Sequence, residues 1–157
     1  MNRESRFVTV GLGLLGGAYA RGLRRAGYAH VAALDLKEEA LAFAKEKGYI
    51  EEGRTGEFQD LLARADYIIF SLYPTTFIQW VEQYGSPLPA GCLCTDVSGV
   101  KTGLVDKVQA LLPQGVEFIA SHPMAGKERS GVENAHPVDF APANFLITPT
   151  ERNTRRG

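Results

Sequence analysis

Five polar residues of this 157-residue chain stand where apolar runs end: Asp35, Asp96, Ser98, Lys101 and His122. His122 follows "VEFIAS" and precedes Pro123, which biases it toward extended backbone and sets the direction in which it projects. A neutral imidazole near pH 7 can take a proton from a substrate hydroxyl, so this residue fits a general base for alcohol oxidation. A buried structural histidine satisfies the same position. Asp96, Ser98 and Lys101 belong to "DVSGVK". Lys101 is either an exposed lysine in the first turn of a helix or an ammonium available to an anionic substrate or to the loop. Asp96 can border a cofactor or hold loop backbone. His30 and His136 have no comparable context and read as surface residues.

A hydride acceptor would complete that chemistry, and "GLGLLGG" at 11–17 offers a place for one. Gly11, Gly13 and Gly16 match G-x-G-x-x-G directly after the apolar run Phe7 to Val10, with Leu12, Leu14 and Leu15 between them. In a strand-turn-helix each glycine has a reason: Gly11 for the turn, Gly13 for backbone approach to a pyrophosphate, Gly16 for close packing of helix on sheet. The helix N-terminus adds unpaired N–H groups and partial positive charge. Asp35 lies 19 residues after Gly16, where a carboxylate accepts hydrogen bonds from ribose hydroxyls and repels a 2'-phosphate. This favours NAD over NADP, while Lys37 offers charge that softens the preference. Leu72, Tyr73 and Pro74 of "SLYP" end another run and join the expected cofactor contacts. A tight glycine turn with no ligand is the alternative.

The elements that must position these residues alternate regularly. Apolar runs at Phe7–Val10, His30–Asp35, Tyr67–Phe70, "CLCTDV" and "VEFIASHP" read as strands. Between them Leu14–Arg25, Glu38–Lys47, "TGEFQDLLARAD", "YPTTFIQWVEQYG" and "KTGLVDKVQALL" read as helices. Gly27 and Gly48 are expected to close the first two, and Leu41, Ala44 and Lys45 to form a half-buried face of the second. Phe77, Trp80, Val81 and Tyr84 share one helical face, which makes Trp80 a core residue. "MAGKERSGVENAHPVDFAPA" has no sustained period, and "NFLITP" reads as one more strand. Parallel strands need long crossovers, so the expected fold is α/β: a Rossmann-type, doubly wound, mainly parallel sheet in three layers. Its functional residues gather beyond the carboxyl ends of the strands.

Bulk properties restrict the partners. Seventeen basic against eighteen acidic residues give a net charge of -1, with no overall pull toward nucleic acid or anionic membrane. The polar Met1–Arg6 and the strand-sized apolar runs give no signal peptide or membrane span, so a cytoplasmic protein is expected. Cys92 and Cys94 have no third thiol to complete a zinc set, read as buried free cysteines, and leave no metal site.

"GLGLLGG" with Asp35, "DVSGVK", "SHPMAGKERSGVENA" and "ANFLITP" together resemble the nucleotide-binding domain of the prephenate dehydrogenase family, which includes arogenate dehydrogenases. The resemblance runs from about Phe7 to Thr150, and "HPMAG" with "SGVENA" is its specific part. It implies NAD as cofactor and prephenate or arogenate as substrate. Hydride leaves the ring carbon bearing the 4-hydroxyl, and the ring carboxylate leaves as CO2, giving 4-hydroxyphenylpyruvate on the route to tyrosine. The family's histidine bonds that hydroxyl, and its counterpart is His122; Lys101 would help shape the loop beside nicotinamide and substrate. Gly99 stands where many members carry serine, and its neighbour Ser98 would have to substitute from an extended loop where successive side chains point apart. Lys127 stands where a small hydroxyl residue is frequent, adding charge near a dicarboxylate.

The resemblance makes 1–150 a cofactor domain and 151–157 a polar tail holding Arg152, Arg155 and Arg156. Family members continue into a helical domain that forms the homodimer and supplies an arginine to the substrate carboxylate. Its absence here implies a chain that binds NAD and turns prephenate over weakly or not at all, because that clamp positions the substrate. Another Rossmann dehydrogenase of small acids, or a non-catalytic NAD-binding module, would share the glycine turn and Asp35.

Overall fold

The computed structural model describes residues 2–125, 129–136, 138 and 140–154. Lys127, Arg155 and Arg156 lie outside the described residues. In chain order the elements are β1 (Arg6–Val10), α1 (Leu14–Arg25), β2 (His30–Leu34), α2 (Glu38–Glu46), β3 (Glu52–Arg54), α3 (Gln59–Ala63), β4 (Tyr67–Phe70), α4 (Pro74–Tyr84), β5 (Leu93–Asp96), α5 (Leu104–Leu111), β6 (Glu117–Pro123), a 3-10 turn at Val132–Asn134, and β7 (Phe145–Thr148). The strands form one sheet in the order β3-β2-β1-β4-β5-β6-β7. All pairings are parallel except that of β7, which runs antiparallel to β6. This is the expected α/β doubly wound architecture, and the strand order reverses between β1 and β4, where such sheets open a crevice at their carboxyl ends.

Strand alternation divides the core. Val8, Val10, Ile68, Phe70, Cys94, Phe118 and Ala120 form one apolar layer with Leu61 and Leu62 of α3, Phe77 and Val81 of α4 and Leu104 and Val108 of α5. Phe7, Ile69 and Val97 face the other way, against Tyr19 and Leu23 of α1. Val31 and Ala33 pack with Ala40, Leu41 and Ala44 of α2. Trp80 packs against the first layer, with its ring 5.2 Å from Phe70. Gly27 and Gly48 follow their helices at φ +90° and +69°, the left-handed region that ends a helix without a Cβ clash.

Some elements differ from the sequence reading. Lys45 is exposed, and Ala40 takes the place given to it on the buried face of α2. β3 is an edge strand of "EGR", too short and polar to carry any alternation. The irregular stretch contains the 3-10 turn, where Val132 and Ala135 close on α1 so tightly that a Cβ at Gly17 would sit 2.8 Å from Val132. His30 is half-exposed, with a ring nitrogen 3.3 Å from Glu51. Among the described residues no helix is long and apolar enough to cross a membrane.

Candidate functional site

The glycine loop joins β1 to α1 at the crevice. Gly11 has φ +92°, and a Cβ there would lie 2.5 Å from the Ser71 carbonyl oxygen, while one at Gly16 would lie 2.0 Å from the carbonyl oxygen of Gly11. Both glycines therefore let backbone meet backbone. Among the described residues, a Cβ at Gly13 would meet nothing within 4 Å. Gly13 is also the N-cap of α1, with no side-chain cap and no acidic residue in the first turn. Open space, uncapped N–H groups and the positive end of the helix coincide there, which fits a pyrophosphate.

Asp35 ties the loop to the next turn: Leu12 N–H donates to its Oδ2 at 2.6 Å and Lys37 N–H to its Oδ1 at 2.9 Å. Each oxygen keeps a lone pair that a ribose hydroxyl could use. Leu12 and Leu14 are buried and Leu15 half-buried, so these leucines present backbone rather than side chain to the crevice. On the far side Leu72 approaches Gly11 to within 3.0 Å of its absent Cβ, the largely exposed Tyr73 caps α4, and Pro74 occupies its first turn.

A second cluster joins the ends of β5 and β6. Lys101 Nζ donates to Asp96 Oδ1 and Oδ2, both at 2.6 Å, and to the Ser121 carbonyl oxygen at 2.7 Å. Asp96 is 1% exposed and also accepts from Ser121 N–H at 3.0 Å. Ser98 donates both its N–H and its hydroxyl to Asp96 Oδ2. The Ser98 hydroxyl is thus directed at Asp96 and not at the imidazole, and Asp96 faces the loop and Lys101. His122 is half-buried, with Nδ1 2.8 Å from the Val97 carbonyl oxygen. A carbonyl only accepts, so Nδ1 carries a proton, and in its neutral form such a ring presents Nε2 as an acceptor. Gly99 lies beside that edge, where a Cβ would come 3.6 Å from Nε2.

Sequence reasoning missed Ser121, Val97 and Tyr19. Ser121 and Thr95 approach at 2.9 Å across β5 and β6, and the Tyr19 hydroxyl lies beside Ser121 without a well-aligned hydrogen bond. Burial pushes the Tyr19 phenol up to about 12, the Asp96 charge adds to this, and Ser121 works against it. The only signal in the sequence was a hydroxyl next to the histidine. Cys94 is raised well above the usual thiol range by its hydrogen bond with Cys92 and by burial, which leaves it protonated. Among the described residues no group of three His, Cys, Asp or Glu could hold a metal ion. A cavity of about 400 Å³ lies between α2 and the edge strand β3, lined by Glu38, Lys45 and Arg54 among others, on the far side of β2 from the histidine cluster.

A family model described as the prephenate dehydrogenase nucleotide-binding domain matches residues 19–156. The chain belongs to this family. The match begins after the glycine loop, whose fit to a nucleotide therefore stands on its own geometry. Prephenate dehydrogenase of Bacillus subtilis (strain 168) is 28% identical over 154 residues, covering 98% of this chain and 42% of the relative. The chain thus spans about two fifths of the length of that curated relative. Prephenate dehydrogenase of Aquifex aeolicus, solved with hydroxyphenyl propionate and NAD+, superposes with a TM-score of 0.85 at 28% identity, covering 97% of this chain and 53% of that one. Arogenate dehydrogenase of Synechocystis superposes at 0.82 with 26% identity, covering 96% and 52%.

Proposed function

We propose that this chain is the NAD-binding, proton-accepting part of a prephenate dehydrogenase, serving the oxidative decarboxylation of prephenate to 4-hydroxyphenylpyruvate. The observation that carries this reading is the His122 ring: Nδ1 is bound to the Val97 carbonyl and Nε2 is left as the acceptor, at the same end of the sheet as the glycine loop. Bound nicotinamide would supply the hydride acceptor. The backbone N–H groups at the start of α1 hold the pyrophosphate, and Asp35 holds the adenosine ribose and disfavours a 2'-phosphate. His122 takes the proton of the substrate 4-hydroxyl at Nε2 as that carbon becomes a carbonyl. Loss of the ring carboxylate as CO2 then gives the aromatic product.

The test is NADH formation from prephenate, with the remaining part of a curated relative supplied in trans, beside the His122→Asn variant. The expected result is a fall of roughly 10²–10⁴-fold in turnover for the variant with NAD affinity retained. Equal turnover would overturn the role of His122. NAD binding with no NADH from any ring substrate would instead favour a non-catalytic module. The likeness to the Synechocystis arogenate dehydrogenase supports arogenate as a second substrate, and the same assay compares the two directly.

A further inference from the structure

The proposed chemistry leaves the pair of the buried Asp96 and the partly buried Lys101 without a part. The ammonium has three hydrogens and meets three acceptors, Asp96 Oδ1, Asp96 Oδ2 and the Ser121 carbonyl, so none remains for an anionic ligand. Asp96 is likewise enclosed by Lys101, Ser98 and the Ser121 N–H. The pair does something specific to Ser121. Main-chain pairing of β5 with β6 ends at Thr95 and Ile119, and beyond it the Ser121 N–H is held by Asp96 and the Ser121 carbonyl by Lys101. The Ser121 hydroxyl donates to the Asp96 carbonyl at 2.8 Å. The ion pair thus replaces the missing ladder. The next residue is His122, and its Nδ1 rests on Val97, the neighbour of Asp96.

We propose that Asp96 and Lys101 are positioning residues that lock the two strand ends together and so fix the tautomer and direction of His122, touching neither substrate nor cofactor. The proposal rests on the reading of His122 as the proton acceptor. Lys101 acts through the Ser121 peptide, and Asp96 acts through that peptide and through the loop that carries Val97. Losing one partner leaves a lone charge in a buried place, whereas losing both removes the charge with the contact.

The experiment compares the full chain with Lys101→Met and with the double variant Asp96→Asn/Lys101→Met. Nitrogen NMR of the imidazole reads the His122 tautomer, and calorimetry reads NAD affinity. The native chain is expected to show the Nδ1–H tautomer alone, and each variant a mixture of both, with NAD affinity unchanged within about 2-fold, well inside the tenfold that corresponds to 1.4 kcal/mol. Where Lys101→Met alone fails to fold, the double variant carries the measurement. In the complemented prephenate assay the variants should lose turnover about 10-fold or more while KM stays level, the mark of lost geometry rather than lost binding. An unchanged tautomer overturns the lock. So does a KM for prephenate that rises with turnover kept, which would make Lys101 a substrate contact, and so does a loss of NAD affinity, which would return Asp96 to the cofactor. Failure of the underlying reading looks different: His122→Asn would keep its activity while the tautomer still responds to Lys101→Met.

Discussion

At the scale of single residues, the environment decides which atom of a side chain is available. His122 is one imidazole among three in the chain, and the Val97 carbonyl is what gives its two nitrogens different roles. Gly99 lies beside the Nε2 edge without being required there, because a Cβ would make an ordinary contact at 3.6 Å. The variant Gly99→Ser should therefore fold with a Tm within about 2 °C of the native chain, consistent with the small effect of substitutions that neither overpack nor unpair a group. Calorimetric melting checks this. Tyr19 gives a pH signature of its own, since burial holds its phenol protonated up to about 12. Folding favours the neutral form, so this residue's contribution to stability is complete below the ordinary tyrosine range and is lost as pH rises from about 10 toward 12. In an absorbance titration of the six tyrosines, the most alkaline step should vanish in Tyr19→Phe.

At the scale of elements, the strand-turn-helix at 6–25 separates two uses of glycine that look alike in the motif. Among the described residues Gly13 faces open space, whereas Gly16 faces the Gly11 carbonyl at a distance no Cβ could occupy. Gly13→Ala is expected to keep the Tm within a few degrees yet weaken NAD binding about 10-fold or more, because the methyl group fills the space offered to the pyrophosphate. Gly16→Ala is expected to lower stability by about 1–3 kcal/mol through overpacking, with NAD binding lost as the turn shifts. Denaturant melts and calorimetry on the two variants separate these outcomes. The 3-10 turn at Val132–Asn134 belongs to the same device, since its contact with Gly17 anchors the stretch after β6 onto the helix that starts at the glycine loop.

At the scale of the whole molecule, the reversal of strand order gathers the glycine loop and the strand ends of β4, β5 and β6 along one edge of the sheet. Ligand binding there should stabilise the entire domain by linkage. With NAD at 100 times its dissociation constant, the gain is about 2.7 kcal/mol. For a domain of this size that corresponds to a Tm rise of roughly 5–10 °C. On the proposed placing of the ribose at Asp35, NADP at the same concentration should raise it by much less, because a carboxylate there would repel a 2'-phosphate, and Asp35→Asn should narrow the difference. Thermal melts with the two nucleotides test this. The β7 edge offers a contrast: its "FLIT" is exposed throughout, with Ile147 57% accessible, although composition alone would bury it.

The α/β alternation, the glycine turn with Asp35 and the placing of His122 at the end of an apolar strand were all legible in the order of residues, because each rests on local signals: hydrophobic period, helix-ending glycines, and motif spacing within one βαβ unit. β3 was not legible, since three polar or small residues become a strand only when β2 is beside them. The same holds for the site. Sequence showed an aspartate, a serine, a lysine and a histidine near strand ends, and left open what each one faces. Only the pairing of β5 with β6 brought Asp96 and Lys101 onto the Ser121 peptide and Val97 onto His122, contacts that span 20–25 positions in the chain. Such contacts depend on register and backbone direction, which a linear pattern does not encode, and they decide that Lys101 faces Asp96 and the Ser121 carbonyl while His122 commits Nδ1 to the Val97 carbonyl.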